Sequence, residues 1–170
     1  MGIDSSMPTL MKRILVLMGL AFLIGLYPVR CLVAIDEAGQ IVFWARVDTN
    51  EQIIVKYVHS VEKTPWHHYY RVGADKRLYL THMRFKSFGA GVPHYAPVVR
   101  HVDGWIEYAG FGESFASITW NVRDDLHHYL VWRGHDIRLG TRVVSGMNIR
   151  LEVTDLPIVT FLRLPRGGLK

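Results

Sequence analysis

The sequence predicts an all-β protein: an antiparallel β-sandwich, immunoglobulin-like or closed into a small barrel, preceded by an N-terminal hydrophobic helix. Three observations predict it. One long uncharged apolar stretch, residues 14–27, lies near the N-terminus and has no counterpart later in the chain. From residue 31 onward, short segments rich in β-branched and aromatic residues alternate with turn clusters of Gly, Asp and Asn. A chain of 170 residues with 49% hydrophobic and 21% charged residues can bury one domain-sized core.

The apolar stretch follows Lys12 and Arg13, the layout of a secretory signal. Met11 is an alternative start to Met1, because the ten residues before it read as a polar upstream extension. The stretch falls short of the roughly 20 residues of a comfortable transmembrane helix. No A-x-A cleavage site follows it, and Arg30 stands where a lipoprotein signal would place a small residue before Cys31. The expectation is an uncleaved signal anchor with Lys12 and Arg13 on the cytoplasmic side. The chain then divides into an anchor segment (1–30), a β-sandwich domain (31–160) facing the periplasm, and a basic tail (161–170).

Strands are expected at 31–36, 41–47, 53–59, 66–72 and 78–85, separated by polar turns. Residues 86–98 hold two glycines and two prolines and read as a long shaped loop. Asp103-Gly104 signals a tight hairpin turn. Segments 105–110, 114–122, 127–134, 136–140 and 148–156 supply the later strands, although 124–132 also carries some helical period. Eight to ten short strands are expected in all.

Composition narrows the function classes. Lys plus Arg is 20 and Asp plus Glu is 15, a scattered excess of +5 with no basic-aromatic run of the nucleic-acid-binding kind. Cys31 is the only cysteine, which removes intramolecular disulfides and paired-cysteine zinc sites. No nucleophile elbow is present, and Gly89-Ala90-Gly91 is too short for a dinucleotide fingerprint. No cofactor is expected.

The stretch HSVEKTPWHHYY, residues 59–70, concentrates the polar chemistry. Strand alternation places Ile53, Val55, Tyr57 and His59 on one face, with Trp66, His68, Tyr70 and Val72 on the facing row. His67 points the other way. If residues 60–65 form the hairpin loop, His59 lies opposite Trp66 and diagonal to His68, about 7–8 Å away. A metal would need a third ligand, for which Glu62, His82, His94 and His101 are candidates. The alternative is strand-end histidines bonded to backbone or water. Gly89 and Gly91 give the 86–98 loop either an anion-binding nest or simply a tight path between sheets, with Pro93 fixing its exit.

HSVEKTPWHHYYRV (59–72) followed by RFKSFGAGVP (84–93) resembles the DUF1850 family, small bacterial and archaeal proteins of unknown function. His59, Ser60, Thr64, Pro65, Phe85, Phe88, Gly89, Ala90, Gly91 and Pro93 match its pattern, and the resemblance spans about residues 31–156. An acidic residue is common in the family near position 67 or 68, where this chain has His67 and His68. Members often accompany TAXI-type tripartite ATP-independent periplasmic (TRAP) transporters. The resemblance therefore implies an accessory role beside organic-acid uptake.

The expected function is a membrane-anchored extracytoplasmic binding module whose partners are TRAP transporter components or a small organic acid. Its contact surface would comprise His59, Ser60, Glu62, Pro65 and His68 with Phe88, Gly89, Gly91 and Pro93. The alternative is a metal-assisted hydrolase using His59, Glu62 and His68.

Overall fold

The computed structural model describes residues 8–162 and 164. The upstream extension before Pro8 and most of the basic tail lie outside the described residues. Helix α1 (Thr9–Gly25) carries the apolar stretch, and none of its residues is buried. It ends at Leu26, ahead of Pro28, where the first strand begins. Among the described residues, no helix is long and apolar enough to cross a membrane.

Among the described residues twelve strands follow rather than eight to ten. They are β1 (Pro28–Ile35), β2 (Ile41–Arg46), β3 (Gln52–Val58), β4 (Pro65–Val72), β5 (Leu78–Phe85), β6 (Val98–Val102), β7 (Trp105–Ala109), β8 (Ser114–Phe115), β9 (Ser117–Val122), β10 (Tyr129–Trp132), β11 (His135–Arg138) and β12 (Met147–Pro157). A smaller sheet runs β2-β1-β12-β9, and a larger one runs β11-β10-β3-β4-β5-β7-β6 with β8 added to β5. All pairings are antiparallel.

The main core lies between the sheets. Leu32, Phe43, Ile149 and Leu151 from the smaller sheet meet Ile53, Val72, Leu78 and Leu130 from the larger one. This is the sandwich that the alternating pattern predicts. The larger sheet extends past the smaller, and its surplus inner face carries a second cluster of Trp66, Met83, Phe85, Ile106 and Tyr108. The 86–98 loop folds over that cluster through Val92 and Ala96. The loop is therefore a cover for aromatic surface that the smaller sheet does not reach.

Three local features depart from simple alternation. The segment 114–122 is two strands, because Ser114–Phe115 pairs with β5 and Ser117–Val122 with β12, so the chain changes sheets at Ala116. In β5 the inward residues are Leu78 and Leu80, then Met83 and Phe85. The pairing with β4 slips between Tyr69 and Tyr70, which leaves Thr81 as a bulge that restores the inward row. The helical character of 124–132 resolves into a short 3-10 turn at Asp124–Leu126 leading into β10. The Asp103-Gly104 hairpin is as expected: both residues have positive φ (50° and 72°), and Val102 pairs with Trp105.

Candidate functional site

The hairpin between β3 and β4 closes earlier than its sequence suggests. The His59 N–H donates to the Thr64 carbonyl (2.9 Å), and the Lys63 N–H donates to the His59 carbonyl (3.0 Å). Lys63 takes a left-handed conformation (φ 53°), which lets the turn close over residues 60–63. Tyr57, not His59, is therefore opposite Trp66, and His68 is opposite Val55. His59 and His68 are not direct diagonal neighbours, because the Tyr57 ring stands between them on the shared face.

His59 has two roles in this turn. Its Nδ1 accepts the backbone N–H of Glu62 (3.2 Å) and that of Val61 at longer range (3.4 Å). That nitrogen is therefore the bare one, and the neutral ring carries its proton on Nε2. The ring also stacks on Trp66, with centroids 4.7 Å apart. Its Nε2 lies 3.8 Å from where a side chain on Gly91 would begin.

The two sequence motifs adjoin. Thr64 and Ser87 share a hydroxyl hydrogen bond of 3.0 Å. A Cβ on Gly89 would collide with the Glu62 side chain, so glycine there admits the close approach of the turn. Gly91 has φ +84°, a backbone conformation that favours glycine. Phe88 meets Phe85 and Tyr108 edge-on while remaining mostly exposed. Pro65 opens β4, and Pro93 is half-buried at the loop's exit. This joint surface sits at the end of the larger sheet away from α1. Strand β3 begins near the helix junction at Gln52 and carries the turn about 20 Å from it, at about 3.3 Å per residue.

Behind the turn, a cleft of about 370 Å³ opens between the two sheets. Its floor is Val55, Tyr57 and His68, and Ser60 and His59 form its mouth. Thr119 and Trp120 of β9 form the opposite wall, and Leu126 and His128 close the side. The Tyr57 ring stacks on His128 (5.5 Å) and meets His68 edge-on (5.6 Å). His68 contacts the Tyr57 hydroxyl through Nε2 (3.4 Å) and the Tyr70 hydroxyl through Nδ1 (3.5 Å).

Burial makes this cleft neutral. It lowers the His68 imidazole to about 4, with the nearby His67 charge acting in the same direction. It also lowers His128 and raises the Tyr57 phenol to about 12. Among the described residues no carboxylate lines the cleft. The indole ring of Trp120 contributes to the wall, while its N–H is buried away from solvent without a partner among the described residues. Chemically, the cleft offers N–H and O–H donors above an aromatic floor.

Metal and nucleophile chemistry find less here. Among the described residues, no group of three His, Cys, Asp or Glu side chains could hold a metal ion. Glu62 turns toward Gly89. His82 lies on the outer face, stacked on Tyr69 at 3.9 Å, and His94 and His101 are exposed. His67 also faces outward, against Trp105 at 4.7 Å. Ser60 makes no hydrogen bond to an imidazole among the described residues. Cys31 is fully buried, and burial pushes its thiol up to about 11, which leaves it unreactive.

Sequence reasoning missed Tyr57, Trp120 and His128 as cleft residues. Alternation does place Tyr57 in the His59 row. Trp120 reaches the cleft only through the packing of the smaller sheet on the larger, and His128 precedes β10, whose pairing with β3 sets it beside Tyr57.

Comparison with known families matches the chain to a domain of unknown function (DUF1850) over residues 53–139. The matched region spans β3 to the start of the turn after β11. It therefore contains both motifs of the joint surface, and every cleft residue lies within it. No curated protein and no solved structure matches the chain.

Proposed function

The chain belongs to the DUF1850 family, and from that premise we propose that it is a membrane-attached, extracytoplasmic binding module whose inter-sheet cleft takes a small organic acid. The observation that carries the proposal is the cleft itself. A space of about 370 Å³ has room for such a molecule, and its lining sets the hydroxyl-bearing Tyr57 and Ser60 beside the His68 and His128 imidazoles, which burial keeps neutral. A carboxyl group bound there would accept from the Tyr57 and Ser60 hydroxyls over an otherwise aromatic floor. The adjoining turn and glycine loop form the outer face through which a transporter component would contact the module. The association with TRAP-type uptake rests on the family resemblance.

Membrane attachment is supported by α1. Its side chains are apolar from Ile14 onward, none is buried against the domain, and Lys12 and Arg13 flank its start. At about 1.5 Å per residue it is about 25 Å long, so it would enter the hydrocarbon with local thinning rather than span it comfortably.

Titration of the full chain in nonionic detergent with a panel of short mono- and dicarboxylic acids tests the cleft, read by intrinsic Trp fluorescence. Saturable binding is expected, weakened roughly tenfold in Tyr57→Phe, the loss of about one buried hydrogen bond. No acid binding, or an affinity unchanged in both Tyr57→Phe and Ser60→Ala, removes the proposal. For the outer surface, alanine at His59, Pro65, Gly89 and Gly91 should reduce organic-acid uptake. Unchanged uptake with unchanged folding counts against it.

A further inference from the structure

A second pocket lies at the opposite end of the sandwich, where α1 joins β1. It measures about 410 Å³ and is lined by Tyr27, Pro28 and Ile158 on the helix side and by Arg30, Arg46 and Asp48 on the domain side. We propose that this pocket binds the phosphoryl anion of a lipid headgroup. The inference rests on the membrane attachment proposed above.

The two arginines differ in how they are held. The Arg30 guanidinium donates to the Thr49 hydroxyl (2.7 Å) and to the Ala74 carbonyl (3.0 Å). Two of its five N–H groups are thus used to fix its plane, and the others remain for a ligand. Arg46 lies on the adjacent strand, opposite Cys31, and is exposed. Its guanidinium makes no ion pair or hydrogen bond among the described residues, although its charge reaches the buried Cys31 thiol. Asp48, the acidic residue in the lining, lies 3.4 Å from the Arg133 guanidinium, which offsets its charge. Both arginines line the pocket, Arg30 held in place and Arg46 exposed at the rim, and a phosphate takes bidentate hydrogen bonds from a guanidinium.

The surroundings point to a lipid rather than a free ion. Tyr27, Ile158 and Val159 are exposed around the helix end, and Trp44 stacks on Phe161 at 4.4 Å. The backbone ties these parts together, because the Ile158 N–H donates to the Tyr27 carbonyl (3.1 Å). Aromatic and apolar groups on the helix side, with cations just beyond, follow the layering of a bilayer interface. A phosphodiester entering the pocket would keep its glycerol and acyl chains beside α1.

Flotation of the full chain with vesicles separates the inference from its premise. Vesicles of phosphatidylcholine alone are compared with vesicles containing phosphatidylglycerol. Binding to both is expected, and roughly fivefold stronger to the anionic ones for each engaged arginine. Arg46→Gln should lose that increment, and Arg138→Gln, an equal charge loss on β11, should keep it. Failure to float with either composition overturns the membrane attachment. Flotation that is equal in both compositions, or lowered as much by Arg138→Gln as by Arg46→Gln, overturns the headgroup site and leaves attachment standing. Short-chain phosphatidylglycerol and inorganic phosphate, titrated separately in detergent, distinguish the sources. A response to the lipid is expected, and a response to inorganic phosphate alone overturns the lipid assignment.

Discussion

The buried imidazole of His68 should make the domain lose stability as pH falls through the mildly acidic range. In the unfolded chain this ring titrates near 6.5, and in the folded domain near 4. Between those values the unfolded state binds more protons, so stability falls as pH drops, and the loss levels off below the folded value. A difference of this size corresponds at its limit to about 3 kcal/mol, of which roughly 2 kcal/mol is lost between about pH 7 and pH 5. The ring packs against Tyr57, Trp66 and Tyr70 and is open to solvent only on its cleft side, which limits screening. His67, His82 and His128 are lowered too and add to the slope in the same direction. The informative quantity is therefore the difference between the parent chain and His68→Gln, which keeps a partner for the Tyr57 hydroxyl. Urea unfolding of both chains in nonionic detergent at the two pH values measures it. Parent and variant should differ in their pH-induced loss by roughly 2 kcal/mol. Equal losses in the two chains, or an NMR titration of the His68 ring near its unfolded value, would refute the reasoning.

Further outcomes follow from other parts of the fold. Gly91→Ala should cost about 1–2 kcal/mol through its left-handed backbone alone, since the nearest atom, His59 Nε2, leaves room for a methyl group; an unchanged melting temperature contradicts that conformation. Trp66→Ala should destabilise by about 3–5 kcal/mol, because the ring is 2% exposed between His59 and Phe85; the urea midpoint reports it. Cys31 should resist a thiol reagent in the native chain and react once urea unfolds it, and rapid labelling under native conditions would contradict its burial. Deleting Thr81 should preserve the fold, because it removes the extra residue and leaves Leu78, Leu80, Met83 and Phe85 in simple alternation on the inner face; loss of native circular dichroism would show that the bend of the bulge itself is required.

Much of the site was legible before the structure. The β3–β4 row carries its own alternation, so Tyr57, His59, Trp66 and His68 share a face by local geometry. The proximity of the turn to FGAGVP follows from consecutive strands, since residues 59–65 and 86–93 flank β4 and β5 at one end. Even the Thr81 bulge leaves a trace, as Leu78 and Leu80 are two apart but Met83 breaks the parity. The hairpin register was not legible. It depends on the left-handed Lys63 and on the His59 ring capping its own turn, and one step of slip moves the histidines relative to Trp66. The split of 114–122 was hidden because Ala116 carries no turn signal.

The sequence by itself determined the elements whose causes are local: an apolar segment after two cations, strands of period two, a left-handed Asp-Gly turn, and glycines where two backbones meet. Only the tertiary structure decided the cleft. Trp120 and His128 are separated from His68 by about half a domain of chain. Trp120 faces it from the four-stranded sheet across the core, and His128 flanks it because β10 pairs with β3 in the larger sheet. Which side chains border the resulting gap depends on the relative width and placement of two sheets. That is a property of packing across the core, and no run of neighbouring residues encodes it.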